Sequence, residues 1–148
     1  MFRGNYPTRT DDKGRVKIPA DFKRVVDGKY GNSKFYVTSW DGGDAHVYPM
    51  DEWEKNEREI LAKPFSDPRR KKFLLVTSYY GQEVEMDGQC RLLLPALLRE
   101  KANLKGDVAV VGMLDHLEIK NMDVLRKQVE ENPFTYEDAQ SLSELGSK

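Results

Sequence analysis

Polar and apolar residues alternate along Gln82-Glu83-Val84-Glu85-Met86, as they must in a half-buried strand whose successive side chains point to opposite faces. The same period in Arg15-Val16-Lys17-Ile18 sends two bases to one face and two apolar side chains to the other. With the β-branched and aromatic runs added, the pattern predicts strands at 5–10, 15–18, 34–40, 45–49, 82–86, 90–94, 107–112 and 116–120. The first two read as a hairpin about the Lys13-Gly14 turn. Helical spacing predicts helices at 20–26, 51–62, 67–79, 96–102 and 122–131, the second and last ending before Pro64 and Pro133. The tail after Phe134 is polar and acidic and reads as a frayed helix, while Phe35, Tyr36, Trp40 and Trp53 sit in patterns that predict core positions.

The chain repeats itself. Asp11-Asp12-Lys13-Gly14-Arg15-Val16-Lys17-Ile18-Pro19 returns as Asp87-Gly88-Gln89-Cys90-Arg91-Leu92-Leu93-Leu94-Pro95, with Asp, Arg and Pro all displaced by 76 residues. Each copy reads as an acid, a turn, an Arg, a short strand and a Pro that can open an amphipathic helix at its first position. Further on, Met50-Asp51 returns as Met122-Asp123 at a displacement of 72, and the missing residues map to the turn cluster Asp41-Gly42-Gly43-Asp44. The repeats are expected at 1–76 and 77–148, the second carrying a C-terminal helix and the acidic tail. Units of this size are marginal alone, so the two are expected to share a core in one α+β fold.

Composition narrows the function. A mean hydropathy of −0.71 with 33% charged residues describes a globular protein at home in water, and no run approaches the roughly 18 apolar residues of a membrane span. Net charge is −1, but residues 1–24 carry seven bases against three acids while residues 121–148 carry three against six. A single Cys and the absence of an apolar leader point to a reducing cytoplasm. His46 and His116 occupy inequivalent places in the repeat, and one Cys is too few for a zinc site of the usual spacing, so no metal is expected. No Ser-His-Asp or Cys-His set and no phosphate-cradling Gly loop is readable, which argues against catalysis, a cofactor or a small-molecule substrate. Arg69-Arg70-Lys71-Lys72 reads as a solvated helix face.

Met1-Phe2-Arg3-Gly4, the two Asp-x-x-x-Arg motifs and the Pro after each Arg-led strand resemble the MraZ family, bacterial transcriptional regulators encoded at the head of the division and cell-wall cluster. The resemblance covers residues 1 to about 132. It implies an AbrB-type fold of two joined swapped-hairpin β-barrel halves, protomers closing into a ring, and binding to double-stranded DNA at repeated promoter boxes in the nucleoid. On that resemblance Arg15 and Arg91 carry the motif Arg and Arg3 the N-terminal one. Lys13 and Lys17 flank Arg15 and are expected to join it and Arg3 on one DNA-facing surface, where Gln89 and Leu93 leave Arg91 less supported. Asp11, Gly14, Pro19, Asp87 and Pro95 are expected to shape the two loops, the acids by orienting their Arg. One departure stands out: the family's Gly before the second Arg is here Cys90, which strains any turn needing positive φ. The competing reading is a non-catalytic, ring-forming interaction scaffold.

Overall fold

The computed structural model describes residues 1–146. In chain order it has β1 (Asn5–Arg9), β2 (Arg15–Lys17), α1 (Ala20–Val25), β3 (Lys34–Thr38), β4 (Ala45–Pro49), α2 (Met50–Leu61), α3 (Pro68–Tyr79), β5 (Gln82–Glu85), β6 (Arg91–Leu93), α4 (Ala96–Lys101), β7 (Asp107–Gly112), β8 (Leu117–Asn121), α5 (Met122–Glu131) and α6 (Tyr136–Gly146). Every expected element is present. The tail forms a regular helix, and a π-helical turn at Val26–Tyr30 that periodicity does not reveal extends α1. Pro19 and Pro95 stand at the N-caps of α1 and α4 rather than at the first helical position, where their missing N–H is equally harmless. No helix among the described residues is long and apolar enough to cross a membrane.

The pairing departs from the expected hairpin. β1 pairs antiparallel with β7, from Asn5 opposite Val111 to Arg9 opposite Asp107, whereas β2 pairs with β6. The turn between β1 and β2 is tight, yet its arms enter different sheets. A two-residue period fixes which side chains are buried but not which strand supplies the hydrogen bonds. β7 offers β1 a buried Val108-Ala109-Val110 run that the three residues of β2 cannot match.

The larger sheet runs β1-β7-β8-β4-β3-β5 and is palindromic in repeat equivalents, so each repeat lends its first strand to the other's edge of the sheet. The tandem, strand-swapped halves of the α+β fold are therefore present, but β1 and β5 remain edges and the sheet does not close into a barrel.

An approximate two-fold axis relates the repeats. Val16 pairs with Leu92, its own equivalent 76 residues on, and His46 pairs with Glu118, its equivalent at 72. The core lies between the sheet and the β2–β6 ribbon, with Val16, Ile18, Phe22, Phe35, Leu92, Leu94, Leu98 and Ile119 almost wholly buried. Trp53 is buried as expected, stacked on Tyr36 and Phe73. Trp40 is not: it lies just past β3 with 62% of its surface exposed, because the strand ends at Thr38 and the loop carries the indole outward.

Candidate nucleic-acid interface

Each repeated motif folds into the same loop. The Asp11 carboxylate accepts from the Lys13 N–H at 3.0 Å, the Arg15 N–H at 2.9 Å and the Arg15 Nε at 2.8 Å. Asp87 accepts from the Gln89 N–H at 2.9 Å, the Arg91 N–H at 2.9 Å and the Arg91 Nε at 2.9 Å. A backbone bond from each Asp N–H to the carbonyl of its Arg, at 3.0 Å in both copies, closes the turn. The spacing of four thus reflects an Asx-type turn in which one short carboxylate satisfies the loop and grips its Arg. The Arg N–H, followed by the other bonds, holds both carboxyls below the ordinary Asp value despite some desolvation. Only Nε is gripped, so the terminal Nη nitrogens of Arg15 and Arg91 are left without a partner among the described residues.

The ribbon brings the two copies together. In register, Arg15 faces Leu93 and Lys17 faces Arg91. Val16 and Leu92 point inward with no exposed surface, so Arg15, Lys17, Arg91 and Leu93 share the outer face, the two arginines on a diagonal. Lys13 and Gln89 are exposed at the two loop tips. Lys17 therefore supports Arg91 directly across the ribbon, a neighbour invisible when each repeat is read alone. Arg3 is also exposed but precedes β1, while Asp11 and Arg15 follow it; an extended strand of that length puts Arg3 on the order of 20 Å from Arg15. Arg3 therefore stands at the opposite end of β1 from the loop that carries Lys13 and Arg15. The other N-terminal bases Arg9, Lys23 and Arg24 are paired with Asp107, Asp27 and Asp21.

The symmetry is broken at one backbone position. Gly14 adopts φ +85° and its equivalent Cys90 φ +60°, a region where a side chain costs ~1–2 kcal/mol. Gly14 lies beneath Arg99, whose guanidinium a Cβ would meet at 2.0 Å and whose Nε donates to the Leu94 carbonyl at 3.1 Å. The counterpart of Arg99 over Cys90 is Lys23, which reaches instead to Asp27 at 2.5 Å. Cys90→Gly is expected to raise unfolding free energy by about 0.5–1 kcal/mol, the relieved strain exceeding the added chain entropy. Gly14→Ala is expected to lower it by about 2 kcal/mol, through backbone strain and displacement of Arg99. Urea denaturation of the two variants checks the opposite signs.

Comparison with known proteins fits this geometry. The family model described as "MraZ protein, putative antitoxin-like" matches residues 1–76 and 81–144. A protein of Koribacter versatilis named transcriptional regulator MraZ is 55% identical over 146 residues, covering 99% of each chain. Its namesake in Acidobacterium capsulatum is 53% identical over 146 residues, again 99% of each. A third, from Shewanella woodyi, is 32% identical over 138 residues, 93% of this chain and 91% of its own. With both halves matched and relatives this similar end to end, the chain belongs to the MraZ family.

Proposed function

We propose that this chain is a sequence-specific, non-enzymatic DNA-binding transcriptional regulator of the cytoplasm and nucleoid, acting at repeated boxes in the promoter of a division and cell-wall gene cluster. The observation that carries the reading is the ribbon, where two braced arginines with free Nη nitrogens stand beside Lys17 on one outward face. A guanidinium so presented can make the bidentate contact to guanine that carries sequence information, while Lys13 and Lys17 neutralise phosphates. Asp11 and Asp87 serve as positioning residues for the two arginines. The repeats, 1–76 and 77–148, act as one reading head because strand exchange fixes their two loops relative to each other. Arg3 is assigned to a separate phosphate contact beyond the ribbon.

Protomers are proposed to close into a ring, meeting head to tail. Support comes from the C-terminal helices, where Val129 on α5, Phe134 between the two, and Tyr136, Leu142 and Leu145 on α6 are each more than half exposed, apolar surface that a neighbouring protomer would cover. In a ring, each protomer can present its ribbon to a successive box on one duplex, so affinity rises through effective concentration. Gel shift at fixed salt tests this: a duplex with several correctly spaced boxes is expected to bind at least tenfold tighter than a single-box duplex, and both are expected to weaken steeply with salt as counterions are released. Equal affinity for the two duplexes would refute multi-site reading.

A further inference from the structure

At the centre of the six-stranded sheet the same two-fold relation assembles a second polar site, away from the ribbon. β4 and β8 pair with His46 opposite Glu118. Since 44 and 116 also differ by 72, Asp44 is the equivalent of His116, as His46 is of Glu118. Each repeat thus contributes one imidazole and one carboxylate, in exchanged order: Asp44-x-His46 from the first and His116-x-Glu118 from the second. All four side chains are only 11–13% exposed. Read separately, the histidines look unrelated; the fold puts their rings 5.7 Å apart.

The geometry is that of a ligand set. His46 Nε2 lies 3.0 Å from Asp44 Oδ1 and 3.7 Å from Glu118 Oε2, and His116 Nε2 lies 3.1 Å from that same Glu118 oxygen. Donors bonded to zinc at ~2.0–2.2 Å in a tetrahedron stand roughly 3.3–3.6 Å from one another; the donor atoms of His46, His116 and Glu118 all lie within 4.8 Å of one another, so small side-chain rotations close them on an ion. The Nδ1 of His116 is held by Asp115 at 2.7 Å, the carboxylate–histidine arrangement that orients a metal-binding imidazole. Lys120 takes the outer oxygens, Asp44 Oδ2 at 2.6 Å and Glu118 Oε1 at 3.3 Å, leaving the inner ones to the cluster. The Nδ1 of His46 is buried without a partner among the described residues, so that ring is positioned from its Nε2 side alone.

Charge and access agree. With neutral imidazoles, Asp44, Asp115 and Glu118 against Lys120 leave a local charge of −2, the complement of a divalent cation. A cleft of about 270 Å³, bordered by Trp40, Asp41 and Gln128, opens onto Asp44 and His46, and the Trp40 ring lies 5.8 Å from that of His46. Two imidazoles among the donors select a transition metal over magnesium or calcium, which take oxygen ligands.

We propose that His46, His116 and Glu118 form a three-ligand binding site for a divalent transition metal of the zinc class, its fourth position left to water, that clamps β4 to β8 and so ties the first repeat to the second. Chelator-stripped full chain titrated with zinc by calorimetry is expected to bind one ion per chain. It should also show a change in Trp40 emission and a rise in thermal midpoint of about 5 °C at saturation, with no effect of magnesium. Cobalt in place of zinc is expected to give the visible bands of a tetrahedral nitrogen–oxygen site. His46→Gln is expected to weaken zinc binding at least about 100-fold. Asp115→Asn, which leaves all three ligands in place, is expected to weaken it roughly tenfold at unchanged stoichiometry, a readout that survives if His46→Gln fails to fold. Zinc affinity weaker than millimolar in the unaltered protein, a sulfur-to-cobalt band assigning the metal to Cys90, or affinity indifferent to Asp115→Asn would each overturn the proposal.

Discussion

Replacing both Arg15 and Arg91 by alanine is expected to weaken binding to a promoter duplex by about 2–6 kcal/mol, from ~1–3 kcal/mol for each lost guanidinium contact, or at least thirtyfold in Kd. The change should leave the fold intact. Asp11 and Asp87 keep their bonds from the Lys13 and Gln89 N–H groups and from the backbone of residues 15 and 91, so the loops hold without the side chains that they grip. Those carboxylates would then face DNA phosphate without a partner, which adds repulsion to the lost contact. Of the single variants, Arg15→Ala is expected to lose more, since Lys13 flanks its loop where Gln89 flanks that of Arg91. The gap should be smaller than either loss, because Lys17 stands across from Arg91 and serves both sites. Anisotropy titration at fixed salt checks both statements. A double variant binding within twofold of the parent would take the ribbon out of the interface, and a larger loss for Arg91→Ala would reverse the order.

What was legible in the sequence divides along a physical line. Strand and helix positions follow from local periodicity, and they emerge within a residue or two from Asn5 through Glu131. The inward direction of Val16 and Ile18 and the outward direction of Lys17 follow from the same alternation. Partners do not. Nothing in Asn5–Arg9 says that its hydrogen bonds go to Asp107–Gly112 rather than to its neighbour in sequence, because strand exchange between duplicated halves is a property of two copies that each lack enough core. The strained turn at Cys90 was readable, since its Gly14 counterpart could be compared directly, and φ is positive at both. Trp40 misled because an aromatic at the end of a β-rich run looks like core when the strand's last residue is unknown. The cluster about His46 and His116 was hidden by displacement: the two histidines are unrelated at 76 residues, yet at 72, the spacing that holds past the Asp41–Asp44 loop, each falls on an acid.

Phe2→Ala is expected to lower unfolding free energy by about 3–5 kcal/mol, more than the loop substitutions at Gly14 or Cys90 change it. Phe2 has no exposed surface although it is the second residue of the chain. Its ring meets Phe22 edge-on at 5.5 Å and stacks on Tyr30 at 6.4 Å, so truncation empties a volume shared with α1 and the π-helical turn that follows it. The backbone around it is equally committed. Phe2 exchanges hydrogen bonds with Leu114 at 2.8 and 2.9 Å, and Gly112 donates to the Gly4 carbonyl at 2.8 Å. The approach is so close that a Cβ on Gly112 would stand 2.6 Å from the Phe2 carbonyl carbon. The N-terminus of the first repeat is thereby fastened to β7 of the second, and the side chain of Phe2 is what seats it in the shared core. At roughly 2–4 °C per kcal/mol for a chain of this size, the thermal midpoint should fall by at least about 6 °C. Phe2→Leu, which refills much of the space, should lose less than half as much. A midpoint for Phe2→Ala within 2 °C of the parent would mean that the N-terminal segment can leave the core without loosening the two halves, and that the exchange of β1 onto β7 is held by its backbone alone.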